Sequence, residues 1–377
     1  MTIFSRGWKL FGFSMFALFF FATGYLFRSY SFLLFGSEKI FSDWQIGSVP
    51  PLGWVEISGN SPDDTKNFLV MKYEAKCATA EDLTLGLTLL DTGNHTYNDS
   101  LNNCSSPGRQ IISSPTGGPI SNIKFDDAKS RCESIHLNGT LAHLITNDEW
   151  MTIARNIEGQ NENWSEGKVG LGYIYAGHND NQPMKALPAS IYDRDNYACA
   201  YTDGDYGKEN PLGSCPSNIL GRQPQVSGNQ KRLHRLSNNG VIWDLAGNMW
   251  EYVDMNSETK QDLESIREYG WFEFPEMLKA GISTSLYNLI APMNVSYSSG
   301  DGAGKIRINV EDEVAITNKI FRRGGDWAYT NHYAGIFTLS SWPRNSLSQS
   351  VGFRCASDPI DISQFRLANA GRVGGGG

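Results

Sequence analysis

The segment at residues 321–355 constrains the fold of this chain most, because a distinctive short motif stands near each of its ends. It contains RGGDW at residues 323–327 and ends with GFRC at residues 352–355. A glycine pair before an aromatic residue is typical of a strand that bends or lies against another backbone. The interior has little hydrophobic periodicity and is rich in Tyr, Asn, His, Ser, Trp and Arg. Such side chains indicate either a recognition surface or a solvated loop.

Residues 1–36 differ in kind from the rest of the chain. After Arg6 and Lys9, an uncharged apolar run extends to residue 27, close to the shortest length that spans a bilayer. Positive residues before the run predict a cytoplasmic N-terminus and an exported remainder. No small-x-small cleavage site follows, so an uncleaved signal anchor is favoured over a removed signal peptide or a buried core helix. We therefore expect membrane contact through residues 11–35 and a linker at residues 37–64.

Cysteine usage and charge agree with export. The six cysteines form no CxxC pair, which leaves a zinc ribbon without support, and an even number in an exported chain predicts three disulfides. Their spacing leaves the pairing open. The formal net charge is −8 and no run of Lys or Arg provides a phosphate-binding surface, so no nucleic-acid partner is expected.

Hydrophobic spacing predicts a mixture of helices and strands. Residues 125–135 repeat apolar side chains at helical intervals, and Thr146 with Glu149 forms a capping box before a second helix that ends near Gly159. Charged residues after 256 are compatible with a short third helix. The segments at 78–119 and 159–240 are polar and rich in turn formers. Strands are predicted at residues 68–73, 241–243 and 306–310.

Several segments together resemble the formylglycine-generating enzyme (sulfatase-modifying factor) domain. The matching segments are PISNIKFDDA at 119–128 with Cys132, LITNDEW at 144–150, DLAGNMWEY at 244–252, RGGDW at 323–327 and GFR at 352–354. The resemblance covers about residues 68–357. It implies an α+β fold of the C-type lectin-like kind, loop-rich, in a domain at residues 65–357. Residues 358–377, which end in a glycine run, are expected to form a flexible tail.

The resemblance also implies a disulfide pairing and a calcium site. Such folds often join the first helix to the last strand, which implies Cys132–Cys355 and leaves the local loops to be closed by Cys77–Cys104 and Cys199–Cys215. In the family the Gly-Asn-x-Trp-Glu turn often binds Ca²⁺. By position, the ligands here would be the side chains of Asp244 and Glu251 and the carbonyls of Gly247 and Met249, an all-oxygen set. The alternative is that the two carboxylates accept backbone N–H groups of the turn.

The metal chemistry of the enzymatic relatives has no counterpart in this sequence. Formylglycine-generating members bind copper through a cysteine pair just after the Arg-Gly-Gly-x-Trp motif, but residues 328–350 contain no cysteine. The related iron enzymes use a spaced histidine cluster, whereas the six histidines here form no His-x3-His pair. We therefore expect neither copper nor iron, and we favour a binding protein over a formylglycine-generating-type oxidoreductase. A structural envelope or pilus component is a third interpretation.

A narrower resemblance concerns the segment from residue 323 to residue 355. RGGDW, a polar run, AGIFTL at 334–339, another polar run and VGFRC resemble the variable region of proteins diversified by retroelements, which carry a hypervariable binding face on this fold. Most of the polar positions hold residues reachable from Asn codons by adenine-directed mutation, although Trp342 and Gln349 depart from that pattern. We expect a surface receptor or adhesin that binds an extracellular protein or glycan. Its predicted ligand-binding residues are Tyr329, Asn331, His332, Tyr333, Ser340, Trp342, Arg344 and Asn345.

Overall fold

An antiparallel five-stranded sheet and a mixed six-stranded sheet carry the fold, and a computed structural model of the chain describes them within residues 52–358. The described ranges are 52–60, 62–79, 81, 96–137, 140–179, 181, 184–189, 231–266, 270–308, 319–328 and 333–358. Most of them belong to one compact unit, Pro50–Ile360. The predicted signal anchor, the Cys199–Cys215 pair and the predicted flexible tail beyond Asp358 lie outside these residues. Within the described ranges, no helix combines the length and apolar character that a membrane crossing requires.

The chain forms short strands and helices joined by long connections. The strands are β1 Trp54–Ile57, β2 Phe68–Met71, β3 Ala75–Thr79, β4 Tyr97–Asn98, β5 Arg109–Ser113, β6 Ile120–Ser121, β7 His136–Leu137, β8 Thr140–Leu144, β9 Leu233–Arg235, β10 Val241–Trp243, β11 Trp250–Val253, β12 Gly270–Phe272, β13 Ile306–Ile308, β14 Lys319–Gly324, β15 Gly335–Pro343, β16 Val351–Phe353 and β17 Cys355–Ser357. The helices are α1 Asp99–Asn102, α2 Phe125–Glu133, α3 Asn147–Glu158, α4 Ser257–Ser265, α5 Phe274–Lys279 and α6 Thr284–Ile290.

The strand order of the two larger sheets brings segments that are distant in sequence next to each other. The five-stranded sheet has the order β1-β2-β17-β8-β7, so the last strand lies between two early ones. The six-stranded sheet has the order β12-β13-β15-β14-β11-β16, with β14 and β15 antiparallel and β11 parallel to β16. Residue alternation along its strands then separates two apolar clusters: Phe321 and Leu339 belong to one, Ile320 and Tyr252 to the other.

Both helices predicted with caps or amphipathic spacing are confirmed. Helix α2 buries Phe125, Ala128 and Cys132, as the spacing requires. Helix α3 starts with the predicted capping box: the Glu149 backbone N–H donates to Thr146 Oγ1 at 3.2 Å, and the Thr146 N–H donates to Glu149 Oε2 at 2.8 Å. Both signals depend on residues a few positions apart, so they can be identified from the sequence without knowledge of the tertiary contacts.

The strands agree less completely with the sequence. Strands are found at Phe68–Met71, Val241–Trp243 and Ile306–Ile308, as predicted. Strand β1, however, lies within residues 37–64, which the sequence assigned to a linker. Its apolar residues are buried because β1 pairs with β2 along its whole length. Four residues between turn formers give too short a pattern to indicate a strand without knowledge of that partner.

Two of the three implied disulfides are confirmed. Cys132 of α2 bonds to Cys355 of β17 with a Cα–Cα distance of 5.4 Å, and Cys77 of β3 bonds to Cys104 with a Cα–Cα distance of 5.9 Å. The first of them fastens a helix to the last strand across 223 positions of sequence. It therefore constrains the whole domain, whereas the second closes a loop of 27 positions.

Candidate functional site

The glycine pair at the end of β14 forms the bend that the sequence predicts. Gly324 and Gly325 have φ values of +89° and +86°, and the pairing of β14 with β15 shifts register at Gly324. A Cβ at Gly325 would lie 2.7 Å from Ala334 Cα, and one at Gly324 would lie 2.9 Å from the Leu245 carbonyl oxygen. Only glycine fits both the conformation and the close approach. The bend fixes where the predicted binding segment leaves the sheet and where it returns.

The structure describes five of the eight predicted ligand-binding residues. Tyr329, Asn331 and His332 lie outside the described residues. Tyr333, Trp342 and Arg344 are half-buried and Asn345 is exposed, so these four reach the surface.

Ser340 differs from the expectation of an exposed contact. It lies on the central strand β15 between β13 and β14, it is fully buried, and its hydroxyl donates to the Ser341 carbonyl at 3.1 Å. Its side chain faces the same side of the sheet as those of Arg307 and Arg322 and is covered there, so a ligand cannot reach it. Ser340 is therefore removed from the predicted binding residues.

Tyr333 and Trp342 join a larger group of rings and cations on one face of the six-stranded sheet. Strand register places Trp271 opposite Arg307, and pairs both Arg307 and Arg322 with Ser340, so their side chains share a face. We call the group the aromatic–cation row. Its members are Trp250, Trp271, Lys305, Arg307, Arg322, Tyr333 and Trp342.

Rings and cations are in contact along the row. The Arg322 guanidinium lies between two indoles, 3.8 Å from the Trp342 ring centroid and 4.4 Å from that of Trp250. Trp250 stacks on Trp271 at 6.3 Å, and Trp271 meets Tyr333 at 4.8 Å. These separations suit ring–ring and cation–π attraction. The rings are thereby held in place.

Two further cations lie at the Tyr333 end of the row. Arg307 lies over Trp271 with its guanidinium carbon 5.7 Å from the ring centroid, and Lys305 lies over Tyr333 at 5.0 Å. Lys305 also forms an ion pair with Glu273 at 3.1 Å. In the described part of the chain, no carboxylate comes within ion-pair distance of Arg307. Within the described ranges, the contact shown for its guanidinium is the face of Trp271.

The cations of the row are residues that the sequence analysis missed. They come from separate segments, and only strand pairing brings them beside Trp342. One usable signal existed: in the predicted strand at 306–310, Lys305 and Arg307 alternate with isoleucines and so point to one side. Arg344, which was predicted, lies apart from the row's cations and pairs with Asp126 across the start of α2, over the Phe125 ring.

The predicted calcium ligands lie in a buried network of arginines and carboxylates. Arg232 donates to Asp244 in a fork, Nε to Oδ1 and Nη2 to Oδ2, each at 2.6 Å. Arg354 forms a fork with Glu251, with Nε 2.5 Å from Oε2. All four side chains are at most 2% exposed. We call this group the arginine–carboxylate network.

Backbone carbonyls complete the network. Arg354 also donates to the carbonyls of Met71 and Trp243, both at 3.1 Å, and Arg232 donates to those of Pro188 and Leu187 at 2.9 and 3.0 Å. The arginines thus tie the turn after β10 to β2 and to the loop before residue 190. Buried arginine needs such a full set of acceptors, because each unbonded N–H would cost desolvation energy.

These residues as arranged do not fit a calcium ion. Both carboxylates that would bind Ca²⁺ accept guanidinium forks, which already supply the positive charge that the ion would bring. Within the described ranges, no group of three or more His, Cys, Asp or Glu side chains has a metal-binding arrangement. The calcium site at Asp244, Gly247, Met249 and Glu251 stays a prediction, and it requires both arginines to withdraw.

Two ionisable groups beside the network are buried without complete bonding. Burial raises the pKa of Glu74 well above its ordinary value, and the nearby Asp244 and Glu251 charges raise it further. Glu74 Oε2 accepts from Asn248 at 2.7 Å, while Oε1 has no hydrogen-bond partner among the described residues. Burial lowers the pKa of Lys76 to about 7, and its Nζ likewise has no hydrogen-bond partner in the described part of the chain. Burial destabilises the charged forms of Glu74 and Lys76, so the stability of this region depends on pH.

Comparison with known proteins identifies a family. The family model described as the sulfatase-modifying factor enzyme 1-like domain matches residues 64–359. No curated protein matches the sequence. Among the solved structures that are similar, three at low identity are the following.

Variable protein 1 of Treponema denticola is 13% identical, with a TM-score of 0.31 over 81% of this chain and 91% of that one. PvdO from Pseudomonas aeruginosa is 15% identical, with a TM-score of 0.28 over 81% of this chain and 92% of that one. CarF is 14% identical, with a TM-score of 0.30 over 82% of this chain and 98% of that one.

Proposed function

Because the chain belongs to the sulfatase-modifying factor enzyme 1-like domain family, we propose that its domain is a non-catalytic member that binds a ligand through the segment at residues 328–350. The observation that supports this best is the placement of Tyr333 and Trp342. Both are half-buried and both are held by cations from neighbouring strands. Aromatic contact groups fixed before binding lose little conformational entropy when a ligand arrives.

The scaffold around the segment supports the same function. Gly324 and Gly325 fix its beginning, and β16 and β17 with the Cys132–Cys355 disulfide fix its end. A variable segment between rigid ends can change its side chains without changing the fold. The resemblance of residues 323–355 to retroelement-diversified variable regions agrees with this arrangement.

Sequencing the coding region in sibling members of one population tests this function. We expect substitutions to concentrate in residues 328–350, with free variation at the exposed and half-buried positions and only small residues at the buried Ser340. Helix α3, Asn147–Glu158, serves as the control segment, because it is buried and structural. Substitutions spread evenly over both segments would contradict a diversified binding face. A near-duplicate DNA copy of the segment beside a reverse transcriptase gene would support it further.

We further propose that residues 1–36 anchor the domain at the cell surface, as a receptor or adhesin. The support is the sequence itself, with positive residues before an apolar run. Protease added to intact cells should remove a C-terminal tag, and a chain that lacks residues 1–36 should lose its surface location. A tag that resists protease until the cells are lysed would contradict the proposal.

A further inference from the structure

The Tyr333 end of the aromatic–cation row has a guanidinium with no carboxylate partner among the described residues. Arg307 is half-buried, and no carboxylate in the described part of the chain lies within ion-pair distance of it. Its guanidinium contacts the face of Trp271, which leaves its N–H groups available for a planar acceptor. This is notable in a chain whose formal net charge is −8. A carboxylate is the group that a guanidinium binds best, through two parallel hydrogen bonds.

Lys305 supplies a second cation in a fixed position. It forms an ion pair with Glu273, and Glu273 in turn accepts hydrogen bonds from the Ser299 backbone at 2.7 Å and the Ser299 hydroxyl at 2.6 Å. Because Glu273 is held by Ser299, the ammonium of Lys305 is held over the Tyr333 ring rather than swinging in solvent. Such pre-organisation lowers the entropy cost of binding.

The remaining surface favours a small polar ligand over a protein partner. Trp271 and Tyr333 are half-buried rings that meet at 4.8 Å. None of the large hydrophobic side chains exposed in the described residues belongs to the row. A stable protein interface needs about 800 Å² on each side with apolar anchors. Two half-buried rings in contact with two cations match a unit the size of a sugar, with an apolar C–H face and a carboxylate.

From these observations we infer that Trp271, Lys305, Arg307 and Tyr333 form a subsite for a carboxylate-bearing saccharide. The carboxylate binds the Arg307 guanidinium, and the sugar ring lies against the exposed parts of Trp271 and Tyr333. Lys305 bonds a neighbouring hydroxyl or a second carboxylate. The inference rests on the proposed ligand-binding function and deepens it by naming the class of ligand. It also places three of the four binding groups on β12 and just before or on β13, outside the variable segment.

Calorimetric binding of the purified full chain to trigalacturonate and sialyllactose tests the inference. The neutral probe is the trimethyl ester of trigalacturonate, and the acidic-peptide probe is triglutamate. We expect at least one acidic saccharide to bind, more weakly as salt rises, and the ester and triglutamate to bind at least about tenfold more weakly. Binding of neither acidic saccharide, equal binding of the ester, or tighter binding of triglutamate would overturn the inference.

Matched variants locate the subsite. Arg307→Gln should weaken saccharide binding about tenfold, and Arg307→Lys should weaken it less, because lysine keeps the charge and loses the fork. The control is Arg109→Gln, since Arg109 also lies over a ring, that of Tyr97 at 6.0 Å, but belongs to β5. Thermal unfolding checks that each variant is folded. Equal losses in the Arg307→Gln and Arg109→Gln variants would overturn the assignment.

Failure of this inference is distinguishable from failure of the proposed function. Population sequencing measures variation at residues 328–350 and does not depend on any ligand. Variation confined to that segment, together with no saccharide binding, would leave the binding function standing and remove the saccharide. Substitutions spread evenly along the chain, together with Arg307-dependent saccharide binding, would support the subsite and contradict the diversified binding face.

Discussion

Arginines serve opposite purposes in the arginine–carboxylate network and in the aromatic–cation row. In the network, Arg232 and Arg354 are fully enclosed and each forks onto a carboxylate. In the row, Arg322 is enclosed by two indole rings and Arg307 lies half-buried over a third. Guanidinium on carboxylate cancels charge inside the protein, whereas guanidinium on an aromatic face keeps its charge. The first arrangement fixes the fold, and in the second the half-buried Arg307 leaves positive charge near the surface.

The largest expected effect tests whether the network is structural. Arg354→Met leaves the Glu251 carboxylate buried with no cation, and we expect a loss of about 3–5 kcal/mol in the free energy of unfolding. Urea denaturation measures it. The matched control is the double variant Arg354→Met/Glu251→Leu, which removes both charges and should recover much of the loss. Equal losses in the single and double variants would show that the carboxylate is not what makes the arginine necessary.

The next effect concerns pH at the edge of the network. The folded-state pKa of Lys76, about 7, lies below its ordinary value of 10.5, so the unfolded chain binds the extra proton between these values. Stability should therefore rise with pH above 7, at up to about 1.4 kcal/mol per pH unit from this group. Urea denaturation at pH 7 and pH 9 measures the rise. The Lys76→Met variant should show a smaller rise; an identical rise would mean that Lys76 is solvated.

A smaller effect is expected in the row. Arg322→Met keeps an unbranched chain between Trp250 and Trp342 and removes the charge, so we expect a loss of about 1–2 kcal/mol, the size of a desolvated cation–π contact. Urea denaturation of this variant and of Arg354→Met under the same conditions compares their losses in the free energy of unfolding. A loss as large as that of Arg354→Met would erase the distinction between the two regions.

The smallest expected effect concerns calcium. Since both carboxylates are engaged by arginines, adding CaCl2 in place of EDTA should change the thermal midpoint by less than about 1 °C. The double variant Arg232→Gln/Arg354→Gln frees both Asp244 and Glu251 and provides the control, in which calcium should raise the midpoint. A rise of several degrees in the unsubstituted protein would show that the arginines do withdraw and that the family's calcium site is retained.

The two regions also differ in how far sequence reasoning reached them. The residues of the turn at 244–251 and the glycine bend were each recognised from one contiguous motif, and the Cys132–Cys355 bond was implied by the family resemblance. The partners of these residues were not recognised, because no feature of the sequence near Asp244 indicates that its counter-ion is Arg232 rather than calcium. In the row, Tyr333 and Trp342 were identified as contact groups. Their cations Lys305 and Arg322, and the burial of Ser340, were not.

The sequence by itself determined what is local or covalently tied to a motif. The capping box of α3, the apolar spacing of α2 and the conformation of Gly324 and Gly325 follow from residues close together in the chain, and the family follows from several short motifs in a fixed order. Only the tertiary structure decided which charges meet. Strand register sets Arg307, Ser340 and Arg322 in one line, and the fold of the chain sets Arg232 on Asp244. Coulomb and packing energies depend on distance in space, and no sequence interval measures that distance.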